Sequence, residues 1–424
     1  MSAAVYIVAA VRTPIGKFGG ALAEFTAADL GVAVVRAAME RAFGQAPQAR
    51  APGEKPAPGA EVPWRALQKA VPAQSRPVPV DELIFGNARP AGVGPNVARQ
   101  IAWRAGLGDD VPAMTVNQAC ASGLRAVILA ADRIRLGEAE LAVAGGTESM
   151  SRVPYLVDAR WGVKMGHQPL TDSMYRDGLF CPMSELLMGE TAEILAQEYK
   201  ITREEQDAYA LESHTRAARA TAECRFQNEI LPLERADKKG NVTRVEKDEH
   251  VRGDVTRESL ARLRPVFSET GTITAGSASG ITDGAAALVL ASEAKLRELK
   301  LAPLARIAGA ATAAVPPRVM GVGPVPAVQK LEQQTGWKIT DYDAIELNEA
   351  FAAQVLACDR ELNFDRAKLN PSGGAIALGH PIGCTGARIL TTLVHHLQRQ
   401  GGRRGLATLC VSGGLGVALA VEKS

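Results

Sequence analysis

Hydrophobic positions along the chain follow two rhythms. "AVYIVAAVRTP" is a continuous β-rich run stopped by Pro14, and it predicts a buried strand. "AADLGVAVVRAAMERAF" carries apolar residues at helical spacing and predicts the helix that follows. "VDELIFGNA" and "PAMTVNQA" read as strands, and "NVARQIAWRAGL" and "ASGLRAVILAADRIRLGE" read as helices. "AELAVAGGTESM" reads as a buried strand running into glycines. The alternation predicts an α/β core with a mainly parallel sheet. Between Ala46 and Pro79 the rhythm breaks: eight prolines leave little periodicity beyond a short helical stretch at 64–71. This segment reads as a surface insertion.

The pattern then changes twice. Residues 151–271 are more polar and poor in strand-like runs, and they hold the helical pair "GETAEILAQEYKITREEQDAYALESHTRAARAT" with Thr202 as a cap. They predict an inserted loop domain. "SGITDGAAALVLASEAKLREL" returns to the core pattern within 272–300. The last third, 301–424, repeats the first. "SGLRAVILAADRIRLGEAELAVAGGTE" and "TGARILTTLVHHLQRQGGRRGLATLCVSGG" each begin with a small-Gly turn and place an Arg two residues after the Gly. Each continues as a helix and ends in a strand entering glycines, and "VDELIFGNA" similarly matches "YDAIELNEAFA". Two similar halves follow: 1–150, completed by 272–300, and 301–424, each a mixed sheet with helices. The matched arginines, Arg125 and Arg388, read as structural.

Composition narrows the function classes. A 424-residue chain with 46% apolar and 22% charged residues suits a soluble enzyme of two or three domains. A net charge of +2 without a basic block argues against nucleic acid as a partner. No apolar run has transmembrane length. The opening "MSAAVYIVAAVRTPIG" lacks a basic region ahead of its apolar run and reads as a strand, not a signal peptide. Six scattered cysteines without a C-x-x-C pair suit reduced thiols in a cytoplasmic protein and give no metal-site pattern.

Four residues carry candidate chemistry. Cys120, in "NQACASGL", stands where a strand gives way to a helix, among small neighbours that leave room for a bulky electrophile. Unpaired N–H groups and the positive end of a helix dipole favour thiolate, so its pKa is expected below the free value of about 8.5. His380, between Gly379 and Pro381 in a glycine-rich loop, can act as a base near neutral pH. Cys410 ends an apolar strand and enters a glycine turn. Asn348, after a strand and before a helix, can cap that helix or donate to a ligand.

"VNQACASGLRAV", "GTITAGSASGITDGAAA", "LNEAFAAQ", "NPSGGAIALGHPIGCTGAR" and "LCVSGG" stand in the order found in thiolases, the acetyl-CoA C-acyltransferases. The chain resembles that family over nearly its whole length outside 46–79. The resemblance implies a duplicated fold layered α-β-α-β-α, with an inserted loop domain. It also implies a ping-pong reaction in which Cys120 is acylated, His380 activates it, and Cys410 moves a proton at the α-carbon of the second acyl-CoA. His380 and a water held by Asn348 match one oxyanion site of the family, and the backbone N–H groups of Cys120 and Ser412 match the other. Coenzyme A and acyl-CoA are implied as substrates, with no permanently bound cofactor. Arg252 and Ser259 match positions near the nucleotide; Phe267, Ala275 and Ser279 match the pantetheine tunnel; Met188 and Phe351 match the acyl end. A homodimer or homotetramer is implied.

Two departures bear on this. Many members read Cys-x-Gly where this chain has Cys410-Val411-Ser412, and a Cβ restricts the turn if positive φ is needed there. Leu187-Met188 stands where the acetoacetyl-specific branch often has His-Met, which resembles the degradative, broad-chain branch. The expected reaction is therefore cleavage of 3-ketoacyl-CoA to acetyl-CoA and a shortened acyl-CoA, with an acetoacetyl-CoA-forming acetyltransferase as runner-up. A β-ketoacyl-synthase-like enzyme would lack Cys410 and "NEAF". A non-catalytic CoA-binding protein on this fold would have lost the nucleophile or the base.

Overall fold

A computed structural model describes residues 3–51, 79–236 and 240–424. Most of the 46–79 insertion, including the expected helix at 64–71, lies outside the described residues. The first half is built from β1 (Val5–Arg12), α1 (Ala27–Phe43), β2 (Glu82–Gly86), α2 (Val97–Arg104), β3 (Ala113–Val116), α3 (Ser122–Arg135) and β4 (Leu141–Ser149). The inserted region carries α4 (Met188–Glu198) and α5 (Arg203–Ala222), and β5 (Thr282–Ser292) returns to the core. The second half comprises β6 (Ala305–Ala314), α6 (Pro324–Thr335), β7 (Ala344–Leu347), α7 (Ala352–Leu362), α8 (Ile382–Gln400), β8 (Arg404–Val411) and β9 (Leu415–Lys423). Local chemistry sets the helix ends. Thr26 and Asp29 exchange side-chain and backbone bonds at the start of α1, and Gly44 closes it at φ 74°. Thr202 caps α5 as its sequence predicts, bonding reciprocally with Glu205.

The strands form one sheet in the order β7-β8-β9-β6-β1-β5-β4-β2-β3, with Gly16–Lys17 as a short tenth strand on β5. The two predicted halves are joined edge to edge by only two residue pairs, Tyr6 with Arg306 and Ile7 with Ala305. The expectation of a mainly parallel sheet is corrected. Parallel pairing is confined to β2/β3, β2/β4 and β7/β8, and the remaining pairs are antiparallel. Parallel strands need crossover connections, which the helices between these elements supply. By contrast, β5 arrives from the inserted region, and β9 follows β8 through a tight turn.

Side-chain alternation sorts the layers. Ala286, Leu288 and Leu290 of β5 face a central apolar cluster, while Ala285, Ala287, Val289 and Ala291 face an outer one with α1 and α2. Leu409 of β8 and Leu419 of β9 face the same centre, and Leu406 and Ala420 face α6 and α7. Strands buried on both faces read as continuous apolar runs, which is how they stand in the sequence. The layers run α1/α2, first half-sheet, α3/α8, second half-sheet, α6/α7. Helices α3 and α8 meet at the repeated glycines: a Cβ on Gly123 would lie 2.8 Å from the Ala387 nitrogen, and one on Gly386 would lie 2.4 Å from that of Leu124. The small-Gly turns noted in both repeats therefore serve helix contact first.

Charge is buried beside this central layer. Arg12 is fully buried, bonded to Glu229 at 2.6 Å and to Asp248 at 2.6 and 2.9 Å, with its guanidinium 5.0 Å from the Phe226 ring centroid. Glu229 also accepts the Thr392 hydroxyl of α8 at 3.0 Å. This cluster fastens the inserted region to the core. Arg388 is likewise buried, 3.5 Å from Glu346, whose carboxyl is raised by burial to about 8. Its sequence counterpart Arg125 is only half-buried, so the matched arginines do not share one environment. Arg12→Met leaves two buried carboxylates without their cation. It is expected to lower stability by about 3–5 kcal/mol, read from urea unfolding, and a loss below about 1 kcal/mol would contradict this account.

Candidate active site

Cys120 does not lie in the first turn of α3. It precedes the helix by two residues, with Ala121 as the cap position. Ala119 adopts φ 44°, an uncommon conformation for alanine that turns the chain sharply out of β3 and presents Cys120 at the bend. The bend is tied locally. Asn117 Oδ1 accepts the Ala119 N–H at 3.0 Å, and the Ser122 hydroxyl accepts the Gln118 N–H at 2.9 Å while donating to the Ala119 carbonyl at 2.7 Å. Ser122 and Gly123 are thus committed to turn and packing as well as being small.

The expected lowering of the Cys120 pKa is also corrected. Burial pushes the thiol above its ordinary value, and the charge of Arg89 and the N–H groups of Ser412 and of Cys120 itself pull the other way. The helix N–H groups nearest the bend are already occupied: those of Ala121 and Ser122 bond to the carbonyls of Gln118 and Ala119. The Ser412 N–H, from the turn after β8, draws the Cys120 pKa down and offsets part of the burial. Its Cβ raises no obstacle, because the positive φ of the β8–β9 turn is taken by Gly413 (89°) and Gly414 (85°).

His380 is 7% exposed, and its Nδ1 lies 2.6 Å from the Thr385 hydroxyl oxygen. That hydroxyl donates to the Pro381 carbonyl at 2.9 Å. Its proton is used, so it accepts from Nδ1–H, which leaves the Nε2 lone pair free. Nε2 has no partner among the described residues. Burial, then the charges of Arg388 and Arg89, lower the imidazole to about 3 and keep it neutral. Cys410, 1% exposed, is raised well above the usual thiol range by burial and then by the proximity of Cys120. Asn348 is 1% exposed, and neither its amide oxygen nor its nitrogen has a described protein partner. It does not cap α7, whose cap position is Phe351. A buried amide left open in this way fits a bound water or ligand.

The other sequence-predicted residues divide in two. Met188, Phe267, Phe351 and Cys410 share one apolar cluster with Ala278, and the Phe267 and Phe351 rings meet edge to face at 6.1 Å. The Ser279 N–H donates to the Ala350 carbonyl at 3.0 Å, which holds that stretch beside Phe351. Ala275, Arg252 and Ser259 are exposed and outside this cluster. The Ser259 hydroxyl is engaged in its own turn, accepting from the Thr256 N–H at 3.0 Å and donating to the Thr256 carbonyl at 2.8 Å.

Sequence reasoning passed over several residues that organise the site. Glu148 accepts from Asn87 Nδ2 at 2.8 Å and from the N–H groups of Ala88, Arg89 and Gly383 at 3.0, 3.2 and 2.8 Å. It thereby joins the β2 loop to the His380 loop. Glu349 accepts from Tyr209, Ser213, Asn370 and the Ile376 N–H at 2.8, 2.7, 2.9 and 3.1 Å. Glu148, Glu349 and Thr385 all lie inside motifs already singled out, "GGTESM", "LNEAFAAQ" and "GHPIGCTGAR". A buried carboxylate among glycines was the available signal. Together the site offers a thiol at a sharp bend, a neutral imidazole with a free lone pair, a second thiol and an open amide. That set suits covalent acyl transfer combined with proton movement at carbon.

Comparison with known proteins gives the same direction. The thiolase N-terminal domain matches residues 5–48 and 58–294, so only 49–57 of the expected insertion falls outside it, and the thiolase C-terminal domain matches 301–423. The acetyl-CoA acetyltransferase of Cupriavidus necator is 46% identical over 420 residues, covering 99% of both chains. The Bacillus anthracis acetyl-CoA acetyltransferase structure superposes with a TM-score of 0.89 at 43% identity, covering 100% of this chain and 99% of that one. Human mitochondrial 3-ketoacyl-CoA thiolase in complex with CoA superposes at 0.88 with 38% identity, covering 100% and 98%. With both halves matched and relatives aligned end to end, the chain belongs to the thiolase family.

Proposed function

We propose that this enzyme performs the reversible, CoA-dependent thiolase reaction, with Cys120 carrying the acyl group. The observation that carries this reading is the His380 ring: its Nδ1 is spent on the Thr385 hydroxyl, which leaves a buried Nε2 without a partner among the described residues and free to act as a base for a thiol. In thiolysis, Cys120 attacks the keto carbon of a 3-ketoacyl-CoA. The bond to the α-carbon breaks, and Cys410 delivers a proton to the departing acetyl-CoA carbanion. CoA thiol then attacks the Cys120 thioester and releases the shortened acyl-CoA. His380 Nε2, left free by the Thr385 contact, accepts the Cys120 proton in the first nucleophilic step and passes it to the Cys410 thiolate; in the second it accepts the CoA thiol proton and returns it to the departing Cys120 sulfur. The N–H groups of Cys120 and Ser412 receive the oxygen of the tetrahedral intermediate, and His380 with a water on Asn348 receives the enolate oxygen. Condensation runs the same steps backwards.

Phe267, Phe351 and Met188 fit the walls along which pantetheine and acyl chain approach Cys410. Arg252, Ser259, Ala275 and Ser279 complete the proposed path towards the nucleotide, with Ser259 acting through its turn. The names of the curated relatives favour acetoacetyl-CoA as the short substrate. Leu187 at the mouth of α4 favours longer acyl groups as a second reading. The reaction needs no resident cofactor. Free thiols at Cys120 and Cys410 suit a reducing cytoplasm, and a homodimer or homotetramer is the proposed assembly.

Incubation with acetyl-CoA is expected to place one acetyl group on Cys120, detected by peptide mass spectrometry and absent in Cys120→Ser; an adduct on another residue would overturn the assignment. A thiolysis series over acyl lengths, followed by loss of ketoacyl-CoA absorbance, reads the substrate class. Measurable cleavage confined to acetoacetyl-CoA would remove the broad-chain reading. Thr385→Val frees the His380 tautomer and is expected to lower kcat on the order of 10-fold to 100-fold with KM little changed, whereas Thr385→Ser keeps the contact and most of the rate.

A further inference from the structure

Arg89 is 5% exposed, yet its Nε and Nη2 atoms have no described partner, and no described carboxylate forms an ion pair with it. Its position is nevertheless fixed. Glu148 accepts its backbone N–H at 3.2 Å, and Nη1 donates to the Ala88 carbonyl at 3.0 Å. The same carbonyl accepts Asn117 Nδ2 at 3.4 Å, and Asn117 Oδ1 accepts the Ala119 N–H at 3.0 Å. A hydrogen-bonded chain therefore runs from the guanidinium to the residue before Cys120. Ala88 also packs in the apolar cluster that Cys120 borders, with Met150, Met174 and Ile382. The inserted region makes room for the cation: a Cβ on Gly178 would fall 2.1 Å from Nη2 and 2.4 Å from Nε. Gly178 belongs to a single π-helical turn, Tyr175–Leu179, a rare conformation that is frequent at functional sites.

A buried guanidinium with no paired carboxylate is costly, and although no ion pair joins Arg89 to Glu148, its charge acts on that carboxylate. The groups that feel this field are Cys120, Glu148 and His380. Glu148 has its charge spread over the Asn87 amide and the N–H groups of Ala88, Arg89 and Gly383. We propose that Arg89 is the internal counter-charge of the Cys120 thiolate, a positioning residue that acts on the nucleophile and the base together. A cation here favours the sulfur anion and disfavours imidazolium, so it offsets part of the burial that raises the Cys120 thiol and helps keep His380 uncharged. The charged and titratable groups around Cys120 are Arg89 on the β2 loop, Glu148 at the end of β4, Cys410 on β8 and His380 ahead of α8. The Ser412 N–H adds to them from the β8–β9 turn. Arg388 acts on His380 more strongly than Arg89 does, and Arg89 is the cation whose charge acts on both sulfur and imidazole. The inference rests on Cys120 being the nucleophile.

The test is the pH dependence of iodoacetamide alkylation at Cys120, followed by mass spectrometry of its peptide from about pH 6 to about pH 10. In Arg89→Met the inflection is expected to move to higher pH by about one unit, and Arg89→Lys restores most of the shift. Gly178→Ala keeps the charge in the chain but drives the guanidinium from its niche, and it is expected to move the inflection in the same direction. Arg89→Met decides wherever its thermal melt shows a folded protein, and Gly178→Ala decides otherwise. An inflection unmoved from wild type in the deciding variant overturns the proposal, whatever happens to turnover. Retained turnover in Cys120→Ser would instead remove the nucleophile assignment, so the two failures are distinguishable.

Discussion

Two helices, α3 and α8, occupy one layer between two half-sheets, and the rest of the molecule is arranged around their contact. Layer spacing is set by side chains, and a Cβ at Gly123 or Gly386 would strike the backbone of the opposite helix. With glycine at both positions the helices approach closely enough for their N-terminal ends to share one region. The N-terminal end of α3 follows β3 directly, and that of α8 follows the glycine-rich loop after α7. The bend that carries Cys120 and the loop that carries His380 therefore meet as a consequence of duplication, with one residue supplied by each copy.

Buried carboxylates hold that meeting in place. Glu148 gathers donors from the β2 loop and the His380 loop, and Glu349 gathers donors from the inserted helix α5 and the glycine-rich stretch after α7. Satisfied by several hydrogen bonds each, these groups act as rigid joints between segments far apart in sequence. Burial has the opposite consequence for the proposed catalytic groups. It raises both thiols and lowers the imidazole, so the resting site holds neutral protons on sulfur unless a positive influence offsets it. The N–H of Ser412, the N–H of Cys120 and the charge of Arg89 are that influence.

Much of this was legible in the chain. Strands buried on both faces gave unbroken apolar runs, α5 began at the Thr202 cap that its sequence marks, and the paired glycine–helix–strand units announced two halves. The candidate residues were legible because their motifs are long and ordered. Sheet polarity was not legible: β5 pairs antiparallel with β1 and β4 because an inserted region frees it from the crossover rule, which no local pattern records. The protonation chemistry of Cys120 was also misread from sequence. A thiol at a helix start suggests a lowered pKa, but the cap N–H groups are occupied within the bend and desolvation dominates.

The sequence by itself determined the elements, their order, their duplication and the family, since these depend on periodicity, capping and contiguous motifs. Tertiary structure alone decided which groups face one another. It left the Asn348 amide without a partner among the described residues, turned Thr385 towards His380, gave the positive φ of the β8–β9 turn to Gly413 rather than Ser412, and enclosed Arg89 without an ion pair among the described residues. The physical reason is range. Hydrophobic rhythm and turn chemistry act between near neighbours in the chain, whereas desolvation and Coulomb effects depend on what long-range folding places within a few ångströms.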